Sequence, residues 1–345
     1  MSVSETKAGA VKNLQDLADL AGVSRATASR ALNDNPRISQ ATRDKIQALA
    51  RDHGYAINRR ARDFRLQRTG VIAVVFMLDI ESKQHMSDLF FLDMLGGIAD
   101  SLAERDYDLL LARAPVLDVR DLNNSRMLNQ SDGAIFIGQG EQHEQLNNLA
   151  RQRSSLVVWG EPVPGKQYVL VGSNNEVGGY QAATHLVAKG RRKIAFFGST
   201  GNPENAARFA GYQRALAEHG LEFDPALKFD IPFDMEAAQS AIPELLQSSP
   251  DFDAVMCVTD VMAMATLSAL QHRGTRVPED IAVVGYDDIS LAAYSSPPLT
   301  TVRQHIREAG AVLVDSVLGL INGNPVKDTL LDTELIVRRS SDTKS

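Results

Sequence analysis

Residues 13–33 read Asn-Leu-Gln-Asp-Leu-Ala-Asp-Leu-Ala-Gly-Val-Ser-Arg-Ala-Thr-Ala-Ser-Arg-Ala-Leu-Asn. Leu14, Leu17, Ala18 and Ala21 recur at helical spacing, Asn13 stands where an N-cap belongs, and Asp16 complements the positive end of the dipole. Gly22 can take the left-handed conformation that ends such a helix, Val23 fills the corner, and Ser24 can cap a second helix. At about 100° per residue, Arg25, Ala26, Ser29 and Arg30 fall on one arc of that helix and Ala28, Ala31 and Leu32 on the opposite arc. One side packs; the other carries two guanidiniums and a hydroxyl among small residues. The pattern is that of a helix-turn-helix whose second helix fits a major groove and offers bidentate donors to guanine edges. Arg25 and Arg30 are therefore expected to read bases, with Ala26 on the same face, and Ser24, Thr27, Ser29, Asn33 and Arg37 to hold phosphates. An ordinary hairpin with solvated arginines would not need the whole spacing. A third helix is expected over 40–53, capped by Ser39, with Ile46, Leu49 and Ala50 inward and Gly54 as its stop.

The run Leu-Ala-Gly-Val-Ser-Arg-Ala-Thr-Ala-Ser-Arg-Ala-Leu-Asn, then Ser39 to Arg43, then Gly54, Tyr55 and Asn58 resemble the LacI/GalR family of bacterial repressors. The resemblance implies that the arginine-dense stretch Asn58-Arg59-Arg60-Ala61-Arg62-Asp63-Phe64-Arg65-Leu66-Gln67-Arg68 is a hinge helix. In the family this helix orders on DNA, pairs with its dimer mate and wedges an apolar side chain into a minor-groove step. Asn58, Ala61 and Phe64 match the contacting positions, Phe64 standing where leucine is usual and Leu66 close by. An aromatic wedge suits partial unstacking; a merely basic linker is the alternative. Ile57 replaces the family's usual proline two positions after Tyr55.

Charge is divided along the chain. Residues 1–68 hold thirteen Lys and Arg against seven Asp and Glu, whereas the rest of the 345 residues hold 23 against 36. A basic N-terminal fifth on an acidic protein is expected where one end meets a polyanion. The single cysteine, Cys257, rules out an internal disulfide framework, fits a reducing compartment and reads as a small buried hydrophobe. No apolar signal region opens the chain and no run approaches a membrane span. A cytoplasmic protein without membrane attachment is expected.

From Gly70 onward short apolar runs alternate with longer amphipathic ones, the pattern of βαβ units and parallel sheets. Strands are expected at 71–76, 108–111, 134–137, 156–158, 194–197, 254–258, 281–284 and 335–337, and helices at 90–104, 177–188, 206–219, 236–247, 261–272 and 306–320. These exceed one open sheet. The expected fold is a small all-α helix-turn-helix head plus an α/β core of two doubly wound parallel-sheet lobes, the periplasmic-binding-protein-like core that the resemblance implies. The segments read as a tail (1–11), the head (12–57), a hinge helix or linker (58–69), the core (70–340) and a tail (341–345). Within the core, 70–160 plus 294–322 are assigned to an N-lobe and 166–290 plus 327–340 to a C-lobe. The Gly- and Pro-rich segments 160–165, 295–298 and 322–325 are expected to cross between them.

Ligands of open α/β sheets lie beyond the carboxyl ends of strands. The family's motifs place Phe90, Phe91, Trp159, Arg208, Phe233, Thr259, Asp287 and Gln304 along an interlobe cleft. A carboxylate accepting from vicinal hydroxyls, a guanidinium donating paired bonds and aromatic faces over apolar sugar edges would suit a small polyhydroxylated ligand. Arg208 and Asp287 could equally form a structural ion pair, Asp260 and Asp288 could cap helices, and the aromatics could be core. Gly160 stands where sugar pockets of the family often carry a polar group, and 79–88 exceeds the usual loop length.

Enzymatic motifs are absent or broken. Gly138-Gln139-Gly140 is followed by His143 where a dinucleotide fingerprint needs glycine, Gly165-Lys166 lacks a phosphate loop's hydroxyl, and the seven histidines lack metal-ligand spacing. No catalytic role, cofactor or metal is expected. The reading is a homodimeric regulator of near-palindromic operator DNA, a repressor in the resemblance, controlled by a sugar-like effector. A purine-responsive regulator of the same family and a sugar-binding transport-type protein remain open alternatives.

Overall fold

A computed structural model describes residues 11, 13–32, 35–53, 55, 68–78, 85–115, 126–139, 142–231, 235–248 and 251–342. They fall into two compact units, within Met1–Thr69 and within Gly70–Ser345. The first is three helices: α1 (Leu14–Ala21), α2 (Arg25–Leu32) and α3 (Gln40–Asp52). Leu17, Ala21, Ala31, Ile46 and Ala50 are buried together, with Val23, Leu32, Leu49 and Tyr55 against them. Two side chains of α3 satisfy carbonyls left over at the ends of the other helices: Lys45 Nζ donates to Ala21 O at 3.1 Å and Gln47 Nε2 to Ala31 O at 3.3 Å.

The larger unit runs β1 (Val71–Leu78), α4 (Leu89–Glu104), β2 (Asp108–Pro115), α5 (Arg126–Asn129), β3 (Gly133–Ile137), α6 (His143–Gln152), β4 (Leu156–Trp159) and β5 (Val169–Ser173). It continues with α7 (Asn175–Ala188), β6 (Ile194–Phe197), α8 (Pro203–Glu218), β7 (Lys228–Phe229), α9 (Met235–Ser248), β8 (Ala254–Cys257) and α10 (Asp260–His272). The last part is β9 (Ala282–Asp287), β10 (Thr300–Arg303), α11 (Ile306–Ile321), β11 (Thr329–Leu331) and β12 (Glu334–Ile336). Two six-stranded sheets result, ordered β11-β5-β4-β3-β1-β2 and β12-β10-β9-β8-β6-β7. All described pairings are parallel except the edge pair of β10 with β12.

Strand β1 shows why these sheets need helices on both faces. Ile72, Val74 and Phe76 join a core with α4 and α11, while Ala73, Val75 and Met77 join another with Leu128 of α5 and Leu146 of α6. The fully buried Ala-Val-Met-Cys run of β8 sits in the single large core of the second lobe, and burial pushes the Cys257 thiol up to about 12.

The expected division between lobes is corrected. Strand β5 pairs with β4 in the first sheet, although residues from 166 onward were assigned to the C-lobe. Strand β10 pairs with β9 in the second sheet, although 294–322 were assigned to the N-lobe, to which only α11 contributes. The segment 327–340 is split, β11 pairing with β5 and β12 with β10. The chain therefore crosses at 173–175, 303–306 and 331–334, and not at 160–165, 295–298 or 322–325, which turn within one lobe. Parallel partners are chosen by long-range packing, and these crossovers are too short to carry a Gly/Pro signature. Strands β5, β7, β10 and β11 and helices α5 and α6 are further elements that the periodicity reading did not include.

Candidate functional site

The head presents a built face. Asn13 Oδ1 accepts from the Gln15 and Asp16 amides at 2.8 and 3.1 Å, Gly22 sits at φ 69°, ψ 35°, and Val23 N donates to Ala18 O at 2.9 Å. Ser24 Oγ accepts from Thr27 N at 3.1 Å and lies 2.8 Å from Thr27 Oγ1. With α2 thus started, Ala28 and Ala31 are buried, Arg25, Ala26 and Arg30 are exposed, and Thr27 and Ser29 are half-buried at the margin. Arg37 is exposed in the turn before α3. The exposed strip thus brings together the two guanidiniums assigned to base readout, flanked by hydroxyls, on a helix whose other side is spent on the core. Asn33, Asn58, Ala61 and Phe64 lie outside the described residues.

In the core, Trp159 ends β4 and is buried; the Phe90 ring on α4 lies 6.4 Å from it and 5.5 Å from Phe91, which meets Phe76 edge-on at 5.3 Å. Across the lobes, Arg208 of α8 is 6% exposed. Its Nε donates to Asn175 Oδ1 at 2.8 Å, its Nη1 to Val258 O at 2.6 Å, and its guanidinium lies 3.8 Å over the Tyr286 ring. Asp287, at the end of β9, accepts from Gln304 Nε2 at 2.6 Å, and Gln304 Oε1 in turn accepts from Ser173 Oγ at the end of β5. Thr259 Oγ1 caps α10 through Met262 N at 3.3 Å. Phe233 lies outside the described residues.

Three groups therefore behave differently from the simplest alternatives. Arg208 spends its described hydrogen bonds on Asn175 and a carbonyl, so its effect on Asp287 is through the field. Asp260 does not cap its own helix; it accepts from Thr301 Oγ1 at 2.5 Å and Ile289 N at 2.9 Å. Asp288 is held by Arg303 and Arg338, both at 2.7 Å.

Sequence reasoning named Gln304 and Asp287 but not the residues of a second link between the lobes, Glu161 and Asn175. Glu161, just past β4, accepts from Asn175 Nδ2 at 2.7 Å, so a first-lobe carboxylate and the second-lobe Arg208 share one asparagine. Burial pushes the Glu161 carboxyl up to about 7, against the pull of the Asn175 hydrogen bond. Burial likewise drives Asp287 upward, opposed first by Arg208, and drives Asp260 upward with help from Asp287. Non-glycine residues in the left-handed region concentrate here: Asp287 at φ 119°, Asp288 at 54° and His305 at 53°. Positive φ values together with buried carboxyls at strand ends single these residues out as the candidate site of the core. Polar residues immediately after apolar strands were the available signal for Asn175 and Glu161.

Among the described residues no group of metal-ligating side chains is found, and no helix is long and apolar enough to cross a membrane.

Residues 13–58 match the model of bacterial regulatory proteins of the lacI family, and 183–341 match the periplasmic binding protein-like domain. The HTH-type transcriptional regulator CelR of Thermobifida fusca is 33% identical over 335 residues, covering 95% of this chain and 97% of that protein. The HTH-type transcriptional repressor PurR of Photobacterium profundum is 30% identical, covering 95% of this chain and 98% of that protein. The solved CelR–cellobiose complex superposes with a TM-score of 0.70 at 31% identity, covering 95% of this chain and 99% of that one.

Proposed function

Because the chain belongs to the LacI family of bacterial regulatory proteins, we propose a mechanism in which a cleft in the core governs how its head holds DNA. It is a DNA-binding transcriptional regulator and, like these relatives, not an enzyme. In this reading it is a repressor. Two copies pair, each placing one head in half of a near-palindromic operator, so that the dimer axis sets half-site spacing. Arg25 and Arg30 read base edges; Ser24, Thr27, Ser29, Asn33 and Arg37 fix register on phosphates. Asn58, Ala61 and Phe64 belong to the linker of 58–69 that joins the head (12–57) to the core (70–340).

The effector is a small carbohydrate-like molecule between the lobes. The observation that carries this is the pair of interlobe bridges, Ser173–Gln304–Asp287 and Glu161–Asn175–Arg208, at the carboxyl edges of both sheets. Carboxylates, carboxamides and a guanidinium at such an edge suit hydroxyl groups that donate and accept, while Trp159, Phe90 and Phe91 supply apolar faces. The similar CelR, solved with cellobiose, supports the class. An effector that prefers one setting of the lobes shifts the DNA-competent population, and DNA reciprocally shifts effector affinity. A thermal-shift panel of sugars, sugar phosphates and nucleobases tests this: a saccharide raising the midpoint in a concentration-dependent way supports it. A response to nucleobases alone would replace the sugar reading with the purine one.

A further inference from the structure

The carboxamide of Gln139 has no hydrogen-bond partner among the described residues at either Oε1 or Nε2, although the residue is 0% exposed. Native interiors rarely leave both ends of an amide unsatisfied, since each lost water bond is uncompensated. Nor is its place arbitrary. Gln139 follows Gly138 just past β3, and Gly138 N donates to Trp159 O at 3.0 Å, which sets the amide beside the end of β4. The next residue of that neighbouring strand is Gly160, and a Cβ built there would come within 2.2 Å of Gln139 Oε1. The amide fills the space a side chain at 160 would occupy. Glu161, one residue further, bonds Asn175 of the second lobe, so this edge of the first sheet faces the cleft.

We propose that Gln139 is an effector-binding and specificity-determining residue, its unpartnered amide reaching from the end of β3 into the space that Gly160 leaves open at the end of β4. This rests on the effector site of the preceding subsection and adds a requirement to it. Oε1 accepts and Nε2 donates, so the ligand must bring a donor and an acceptor side by side, as vicinal hydroxyls do. A ligand without that pair leaves the buried amide unmatched and is rejected.

The test uses the full-length protein, thermal unfolding, and calorimetric titration with glucose, cellobiose, hypoxanthine and guanine. Gln139→Leu keeps the volume and removes both polar ends. It should raise the unliganded midpoint and weaken the best-bound saccharide by about tenfold or more. Gly160→Ala, which displaces the amide, should weaken the same saccharide. A lowered midpoint in unliganded Gln139→Leu, or saccharide affinity unchanged in both variants, overturns the assignment. If wild-type protein takes a nucleobase and no saccharide, the carbohydrate reading fails by itself, and Gln139 stands or falls on the same comparison with that nucleobase. If nothing in the panel binds, both fall.

Discussion

Glu161 offers a prediction whose sign and size follow from its surroundings. Its carboxyl is half-buried, accepts one hydrogen bond from Asn175, and is pushed from 4.5 up to about 7 chiefly by burial. A carboxyl whose folded value lies above its unfolded value binds its proton more tightly when folded. Its contribution is fully present below 4.5 and is lost as pH rises towards 7. In Glu161→Gln the side-chain oxygen can still accept from Asn175 and nothing titrates. Linkage between pH 5 and pH 8 then gives a change of about 2.5 kcal/mol in the difference between variant and wild type. Solvent screening at a half-exposed group reduces that to about 1 to 1.5 kcal/mol. Urea unfolding of both proteins at the two pH values reads the difference directly. Glu161→Gln should gain on wild type as pH rises; a difference independent of pH, or one that shrinks, would refute the argument that burial dominates this carboxyl.

Other expectations are more local. Arg25→Ala and Arg30→Ala should each cost about 1–3 kcal/mol of operator binding and relax the preference at one base pair, measured by competition between site variants. Gly22→Ala places a Cβ at φ 69° and should destabilise the head by about 1 kcal/mol, seen by melting of the full chain. Arg208→Met should abolish saccharide binding and lower stability, because Asn175 Oδ1 and Val258 O lose their donor; retained saccharide affinity in a calorimetric titration would remove Arg208 from the site.

The head was legible residue by residue because its determinants are local. Asn13, Gly22, Ser24 and Ser39 each act within three or four positions of themselves, and periodicity divides Arg25 and Arg30 from Ala28 and Ala31. The two-lobed α/β class was legible from its apolar runs, but lobe membership was not. Whether β5 joins β4 or β6 is decided by packing between distant segments, and the crossovers at 173–175, 303–306 and 331–334 are brief polar links. Among the candidate site residues that the resemblance names, Gln304 donates to Asp287 and Arg208 lies close enough to act on that carboxyl. Gln139, Glu161 and Asn175 could not be picked out as candidates from the sequence, for one reason. Each gains its meaning from a neighbour on another element: Gly160 for Gln139, Asn175 for Glu161, and Arg208 for Asn175.

The central claim is that a face of α2 reads a duplex while a cleft in the core biases its hold. Fluorescence anisotropy on an inverted-repeat duplex selected from a random pool, titrated with and without the best-bound saccharide, measures both halves together. The duplex should be preferred over random sequence by about a thousandfold or more, and the saccharide should move that affinity by about 5- to 150-fold. No preference for any selected duplex, or an affinity that the bound saccharide leaves unmoved, would contradict it.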